Sequence, residues 1–271
     1  MLTEFRHILG KLGERRKWLL VGTLLLALFT WTLFTLLDRT HTKEVFEGLP
    51  HRYTYQEVLS SEKVLLHIMT LSPENVHLRS DGLPLRQVAA YGINGGFFYG
   101  KDLLSIAIMN DSPVHGKRGA YGSGWFNAKY PRGTLVWDGQ DRTFSVQVVS
   151  SGDEIAVSDR SRYFAQGGIS MNLQHEEQWL TAANQEHLPY ANDLRMRSGM
   201  IYDNSGNLHL IVTPTRCTAA EFRTAIMESV SGDDLEGIFL DGDGSSQMNA
   251  SEAVLTGDQR MVVQMIAVDS D

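Results

Sequence analysis

At 271 residues, with 42% of them hydrophobic, the chain is long enough to build one large domain whose core needs no disulfide or metal to hold it together. Its formal net charge is −8, yet residues 1–17 carry Arg6, Lys11, Arg15, Arg16 and Lys17 against only Glu4 and Glu14, so the rest of the chain is more acidic still. Such a balance excludes nucleic acid as the main partner, because phosphate backbones are held by positive surfaces.

Behind the basic residues, WLLVGTLLLALFTWTLFTLL (18–37) runs 20 residues without a charge. As a helix it would be ~30 Å long, the thickness of a bilayer core. Its threonines can bond back to helix carbonyls and weaken the span little. A cleaved signal peptide is the competing reading, but LDRTHTK behind the span offers no small-x-small cleavage site. The pattern predicts an uncleaved single-pass anchor in the cell membrane, with basic residues 1–17 in the cytoplasm and everything after residue 37 outside. A single cysteine, Cys217, cannot close an intrachain disulfide and reads as a buried thiol.

Residues 38–62 are mixed, charged and carry Gly48 and Pro50; they read as a stalk, leaving residues 63–271 as the domain. Short apolar runs at 64–71, 102–109, 133–139 and 144–150 predict strands. Residues 200–212 predict a hairpin turning through 203–207. The clearest helix starts at Thr218, where Thr218-Ala219-Ala220-Glu221 has capping-box spacing, and ends near Gly232. A weaker helix is predicted in 173–185 and a closing strand in 261–268. This order gives an α+β fold of mixed, largely antiparallel sheets with few helices, preceded by the N-terminal transmembrane helix.

The chemistry-bearing candidates are few. There is no GxSxG, phosphate-binding GxxxxGK[ST], GxGxxG or HExxH, so the common serine hydrolase, nucleotide and zinc-protease sites are set aside. What remains are glycine-rich turns: AYGINGGFFYG (90–100), FAQGGISM (164–171) and EGIFLDGDGSSQM (236–248). Gly95 and Gly96 either let a ligand approach the backbone or make a tight hairpin turn. In the last stretch an apolar run delivers Asp241 and Asp243 together. Two carboxylates so close repel each other, an arrangement more readily kept where chemistry or a cation uses them. Asp241, Asp243, Ser245, the Gln247 carbonyl, Asn249 and Glu252 also fall at the ligand positions of a calcium-binding EF-hand, although Ser246 replaces its turn glycine and a strand precedes it. A calcium ion is thus the one cofactor these residues suggest, and no metal ligands are assigned.

Taken together, NGGFF at 94–98, the Gln166-Gly167-Gly168 turn, Arg197-x-Gly199 before a hairpin, the capped helix and the closing Leu240-Asp241-Gly242-x-Gly244-Ser245-Ser246 resemble the phosphodiester glycosidase family over roughly residues 60–268. Asp243 departs from the family pattern, standing where a glycine is usual. The resemblance implies an extracytoplasmic hydrolase of sugar-1-phosphodiesters, acting on cell-surface polysaccharide (exopolysaccharide) or related glycoconjugates. In that reading Asp241 activates water or stabilises an oxocarbenium ion, and Arg197 grips the phosphate. Asn94 orients a sugar hydroxyl or the water, and Asp243 is a second carboxylate or a cation ligand. Gly95, Gly96, Gly167, Gly168, Gly242, Gly244, Ser245 and Ser246 line the substrate. The rival expectation is a non-catalytic surface module that binds polysaccharide or calcium on the same fold.

Overall fold

The computed structural model describes residues 14–46 and 50–270, with side chains over 16–34 and 50–270. Two units emerge, divided near residue 46. The first contains helix α1, Glu14–Phe46, of which Arg16–Phe34 is long and apolar enough to cross a membrane. Thr23, Thr30 and Thr32 each donate their hydroxyl to a carbonyl three or four residues back, so these three hydroxyls are satisfied within the helix.

The second unit is built on three antiparallel sheets. The first has six strands, in the order Tyr53–Leu59, Leu65–Leu71, Leu208–Cys217, Arg195–Tyr202, Glu236–Phe239 and Ile169–Ser170. The second orders Thr143–Val149, Arg132–Asp138, Tyr163–Gly167, Ala107–Met109 and Ser112–Pro113. The third orders Val254–Leu255, Met248–Asn249, Tyr91–Asn94, Met265–Val268 and Val76–Arg79.

The six-stranded sheet is covered on both faces, which is why its strands read as continuous apolar runs rather than as alternations. Met69, Leu71, Met200, Leu208, Leu210 and Ile238 face one core, shared with Ile93 and Ile266 of the third sheet and Leu135 and Phe164 of the second. Leu66, Ile68, Ile201, Ile211 and Phe239 alternate with them onto the other core. There they meet two helices, α2 (Trp179–Gln185) and α3 (Ala219–Ser229), through Trp179, Phe222 and Ile226. Helix α3 starts as expected: the Thr218 hydroxyl accepts from the Glu221 amide at 3.2 Å, and the Glu221 carboxylate accepts from the Thr218 amide at 2.7 Å.

Four expectations need correction. Within the supposed stalk, Tyr53–Leu59 pairs along its whole length with Leu65–Leu71 and forms the edge of the first sheet. The run 102–109 is two short strands, because Leu104 leaves the ladder to donate to Phe97 and Ala107 to Gly124. The helix in 173–185 occupies only its second half, α2. The closing strand starts at Met265, because Val262 bridges to Leu83 and Gln264 is turned toward Gly95 and Gly96.

Candidate active site

The three glycine-rich stretches, far apart in sequence, meet where the three sheets converge. Strand Glu236–Phe239 ends, and the chain crosses through residues 240–247 into Met248–Asn249 of the third sheet, opposite Ile93 and Gly92. At the crossing the Leu240 amide donates to Ser198 and the Asp241 amide to the Gly95 carbonyl at 3.3 Å. The Asp241 carbonyl accepts from Asn94 Nδ2 at 2.7 Å. The backbone of Asp241 is thereby clamped from both sides.

Asn94 is the clamp's centre and is 1% exposed. Its Nδ2 donates to Asp241 and, at 3.3 Å, to Gly95; its Oδ1 accepts the Ser198 hydroxyl at 2.8 Å and the Gln247 amide at 3.1 Å. All four positions that a carboxamide offers are used. The expected contact of Asn94 with a sugar hydroxyl or water is therefore replaced by a positioning role.

The glycines serve the same convergence. A Cβ on Gly95 would fall 1.8 Å from the Gln264 side chain, one on Gly168 2.2 Å from the Phe239 carbonyl, and one on Gly244 2.1 Å from the Asp258 carboxylate. Gly96 and Gly167 likewise face neighbouring protein atoms. These residues are glycine because other segments of the protein come close, which accounts for them without a ligand. Gly242 is looser, 2.9 Å from the Met196 carbonyl. Behind this wall Gln264 donates to Gln166 at 2.6 Å and accepts the Gly96 amide at 2.9 Å.

The Asp241 carboxyl is pushed up to about 6, chiefly by burial. The Ser245 hydroxyl, the charge of Arg260 and the Gly242 amide oppose that shift only in part, and the neighbouring Asp243 adds to it. Ser245 Oγ closes no bond of ordinary hydrogen-bond length, and neither does Ser246 Oγ, although both residues are almost fully buried. Buried hydroxyls without a partner are uncommon, and here one of them, that of Ser245, adjoins a carboxylate whose burial is only partly compensated.

Arginine geometry departs from expectation. Arg197 is 6% exposed; its Nε donates to the Cys217 carbonyl at 3.2 Å and its Nη2 to those of Tyr190 and Asp193 at 2.7 and 2.9 Å. Two of its three nitrogens are committed to backbone, which removes the two-pronged face that a phosphate would need. Arg197 ties down the loop before its own strand. Arg195, two residues earlier, presents Nη1 to Asp243 at 2.8 Å and Nη2 to Asp193 at 3.3 Å, and stacks 4.5 Å from the Tyr190 ring. A register shift between Arg195 and Arg197 gives the two side chains different surroundings.

Arg260 is the second cation that sequence reasoning missed. It pairs with Asp258, and the charges of Asp241 and Asp243 add to the raised affinity for its proton. The turn carrying this pair is docked by the Asp258 amide on the Gly244 carbonyl at 3.1 Å. Nothing local in Gly257-Asp258-Gln259-Arg260 announces this, since the contact spans the whole closing loop.

An EF-hand is not formed. Glu252 accepts from the Tyr53 hydroxyl at 3.2 Å, the Gln247 carbonyl accepts the Asn94 amide, and Asn249 donates to three carbonyls between Leu85 and Ala90. Those would-be ligands point to separate places. Among the described residues no group of three or more His, Cys, Asp or Glu side chains is arranged to hold a metal ion. Burial pushes the Cys217 thiol up to about 12, making it an inert core group.

No protein-family model and no curated protein matches this sequence. Solved structures do match. The catalytic domain of zebrafish N-acetylglucosamine-1-phosphodiester alpha-N-acetylglucosaminidase, auto-inhibited by its pro-peptide, superposes with a TM-score of 0.58 at 12% identity, covering 82% of this chain and 84% of that one. A hypothetical protein from Synechocystis matches with a TM-score of 0.49 at 14% identity, over 80% of this chain and 61% of that one. The first likeness shows a distant relationship of fold.

Proposed function

We propose that the protein is a membrane-anchored hydrolase of sugar-1-phosphodiesters, held by α1 with its domain outside the cytoplasm and acting on cell-surface polysaccharide or related glycoconjugates. The observation that carries this reading is Asp241: a half-buried carboxyl raised to about 6, clamped by its backbone, with the Ser245 hydroxyl beside it and two arginines within reach of its surroundings. The fold shared with the zebrafish catalytic domain supports it.

At neutral pH Asp241 is mostly ionised and can act as a base. Water attacks the anomeric carbon and passes a proton to the carboxylate. The anomeric C–O bond breaks with its electron pair remaining on the phosphate oxygen, and a phosphate monoester leaves. Phosphate is a better leaving group than a sugar alkoxide, so one base with cations for the phosphate suffices, without the second carboxylic acid of ordinary glycosidases. Arg195 and Arg260 are the cations in this scheme, Arg197 and Asn94 are positioning residues, and Ser245 and Ser246 offer hydroxyls to the substrate.

The test is incubation of the full chain in detergent micelles with a panel of sugar-1-phosphodiesters, with and without calcium. Release of free sugar and phosphate monoester by the wild type, lost in Asp241→Asn, is the expected result. Calcium-dependent stabilisation with no turnover on any member would favour the non-catalytic surface module instead.

A further inference from the structure

Asp243 adopts φ +55°, a left-handed conformation that aspartate tolerates but glycine adopts freely. From that position its carboxylate reaches Arg195 at 2.8 Å. Arg195 is otherwise prepared for a ligand: it is flattened against the Tyr190 ring, steadied by Asp193, and its side chain remains 31% exposed. Asp243, at 33%, is equally open to solvent. An ion pair this exposed is weak and readily exchanged: Asp243 gives the guanidinium one contact, whereas a phosphodiester, also a monoanion, can offer two parallel hydrogen bonds from its two non-bridging oxygens. Ser245, fully buried, directs its hydroxyl toward the adjoining Asp241 carboxyl, so the turn that carries Asp243 also carries the proposed base.

We propose that Asp243 is an internal stand-in for the substrate's anionic group, occupying Arg195 until a phosphate-bearing ligand displaces it, and that Arg195 is the residue that takes this phosphate. The assignment rests on the phosphodiester reading above and names the anion contact within it. Asp243 tunes affinity downward in two ways: it fills the guanidinium edge, and its own charge repels an incoming anion. It thereby disfavours small anions such as free phosphate, which have nothing but the arginine to hold them. Substrates that also bind through their sugar are retained.

The experiment is calorimetric titration of the full chain in detergent micelles with inorganic phosphate and, separately, with glucose 1-phosphate. Asp243→Asn removes the charge and keeps a residue that tolerates the left-handed backbone, while Asp243→Gly removes the side chain altogether. Both variants are expected to bind each probe about three- to tenfold more tightly than the wild type. Arg195→Gln is expected to weaken binding and, combined with either Asp243 variant, to cancel the gain. Unchanged or weaker binding in both Asp243 variants would overturn the proposal, and so would a gain that survives Arg195→Gln. Binding is read without turnover, so a protein that shows this pattern yet hydrolyses no phosphodiester keeps the Asp243 assignment and loses the hydrolase reading. A hydrolase without the pattern does the reverse.

Discussion

Asp203 and Asp241 are both withdrawn from water but are compensated differently, and under the proposed function their contrast separates a structural carboxylate from a chemical one. Burial is the largest influence on both. At Asp203, in the turn of the 195–217 hairpin, Asn207 donates its amide and Nδ2 at 2.9 Å each, and His209 Nε2 lies at 3.2 Å. These contacts overcome burial and hold the carboxyl below its ordinary value. His209 is in turn matched through Nδ1 to the Thr70 hydroxyl at 2.9 Å, and burial keeps its imidazole below the usual range. The Thr70–His209–Asp203 chain superficially resembles a nucleophilic relay, but every group in it is satisfied within the protein. Asp241 lacks such compensation and rises to about 6. Burial left partly unanswered is what makes Asp241 the candidate base in the proposed reading.

The largest effect that could break this comparison is Asp241→Asn. It should lower kcat/KM by about a thousandfold or more, since the base is gone. Stability should be unchanged or raised, by on the order of 1–3 kcal/mol at pH 7, because a poorly compensated charge is removed. Denaturant unfolding alongside kinetics checks both halves. Asp203→Ala should do the opposite: it strands His209 and Asn207, costs about 2–4 kcal/mol of stability, and leaves the kcat/KM of the folded fraction near wild type. Arg197→Lys should lower the midpoint of unfolding by about 1–2 kcal/mol, because an ammonium cannot reproduce the planar fork across the Cys217, Tyr190 and Asp193 carbonyls. Activity should then fall through displacement of Arg195, raising KM more than it lowers kcat. A smaller effect sharpens the contrast through pH. Asp203, depressed in the fold, contributes stability above its unfolded value near 3.8 that is lost as pH falls through its folded one. Asp241, raised, favours the fold most below about 3.8 and loses that contribution as pH climbs through about 6. The stability advantage of Asp241→Asn should therefore grow between pH 4 and 6 and then level off.

Much of this arrangement was legible in the sequence where local rules suffice. The capping box at Thr218, the hairpin turning through 203–207 and the strand running into Asp241 all depend on neighbouring residues, and the structure contains each of them. The glycine stretches were legible as a set, but the packing that requires them was not. They mark where Gln264, Phe239 and Asp258 crowd the backbone, and those partners lie on other sheets or in distant loops. Arg195 and Arg197 were inseparable by pattern, because period two puts both on one face and only the register shift between them parts their surroundings. Arg260 was invisible for a related reason: its neighbours Asp241 and Asp243 are joined to it by the docking of a turn that no local motif encodes. Tyr53–Leu59 reads as polar stalk because an edge strand keeps half its residues in solvent.

The most direct test of the central claim, that a burial-raised Asp241 is the base, is the pH dependence of kcat/KM on a sugar-1-phosphodiester that the wild type hydrolyses. The account expects a plateau above pH 7 and an acid limb of unit slope bending at about 6, moved to lower pH in Asp243→Gly because the adjoining carboxylate that helps raise Asp241 is gone. A limb that stays flat down to pH 4, or one that persists unaltered in Asp241→Asn, would contradict it.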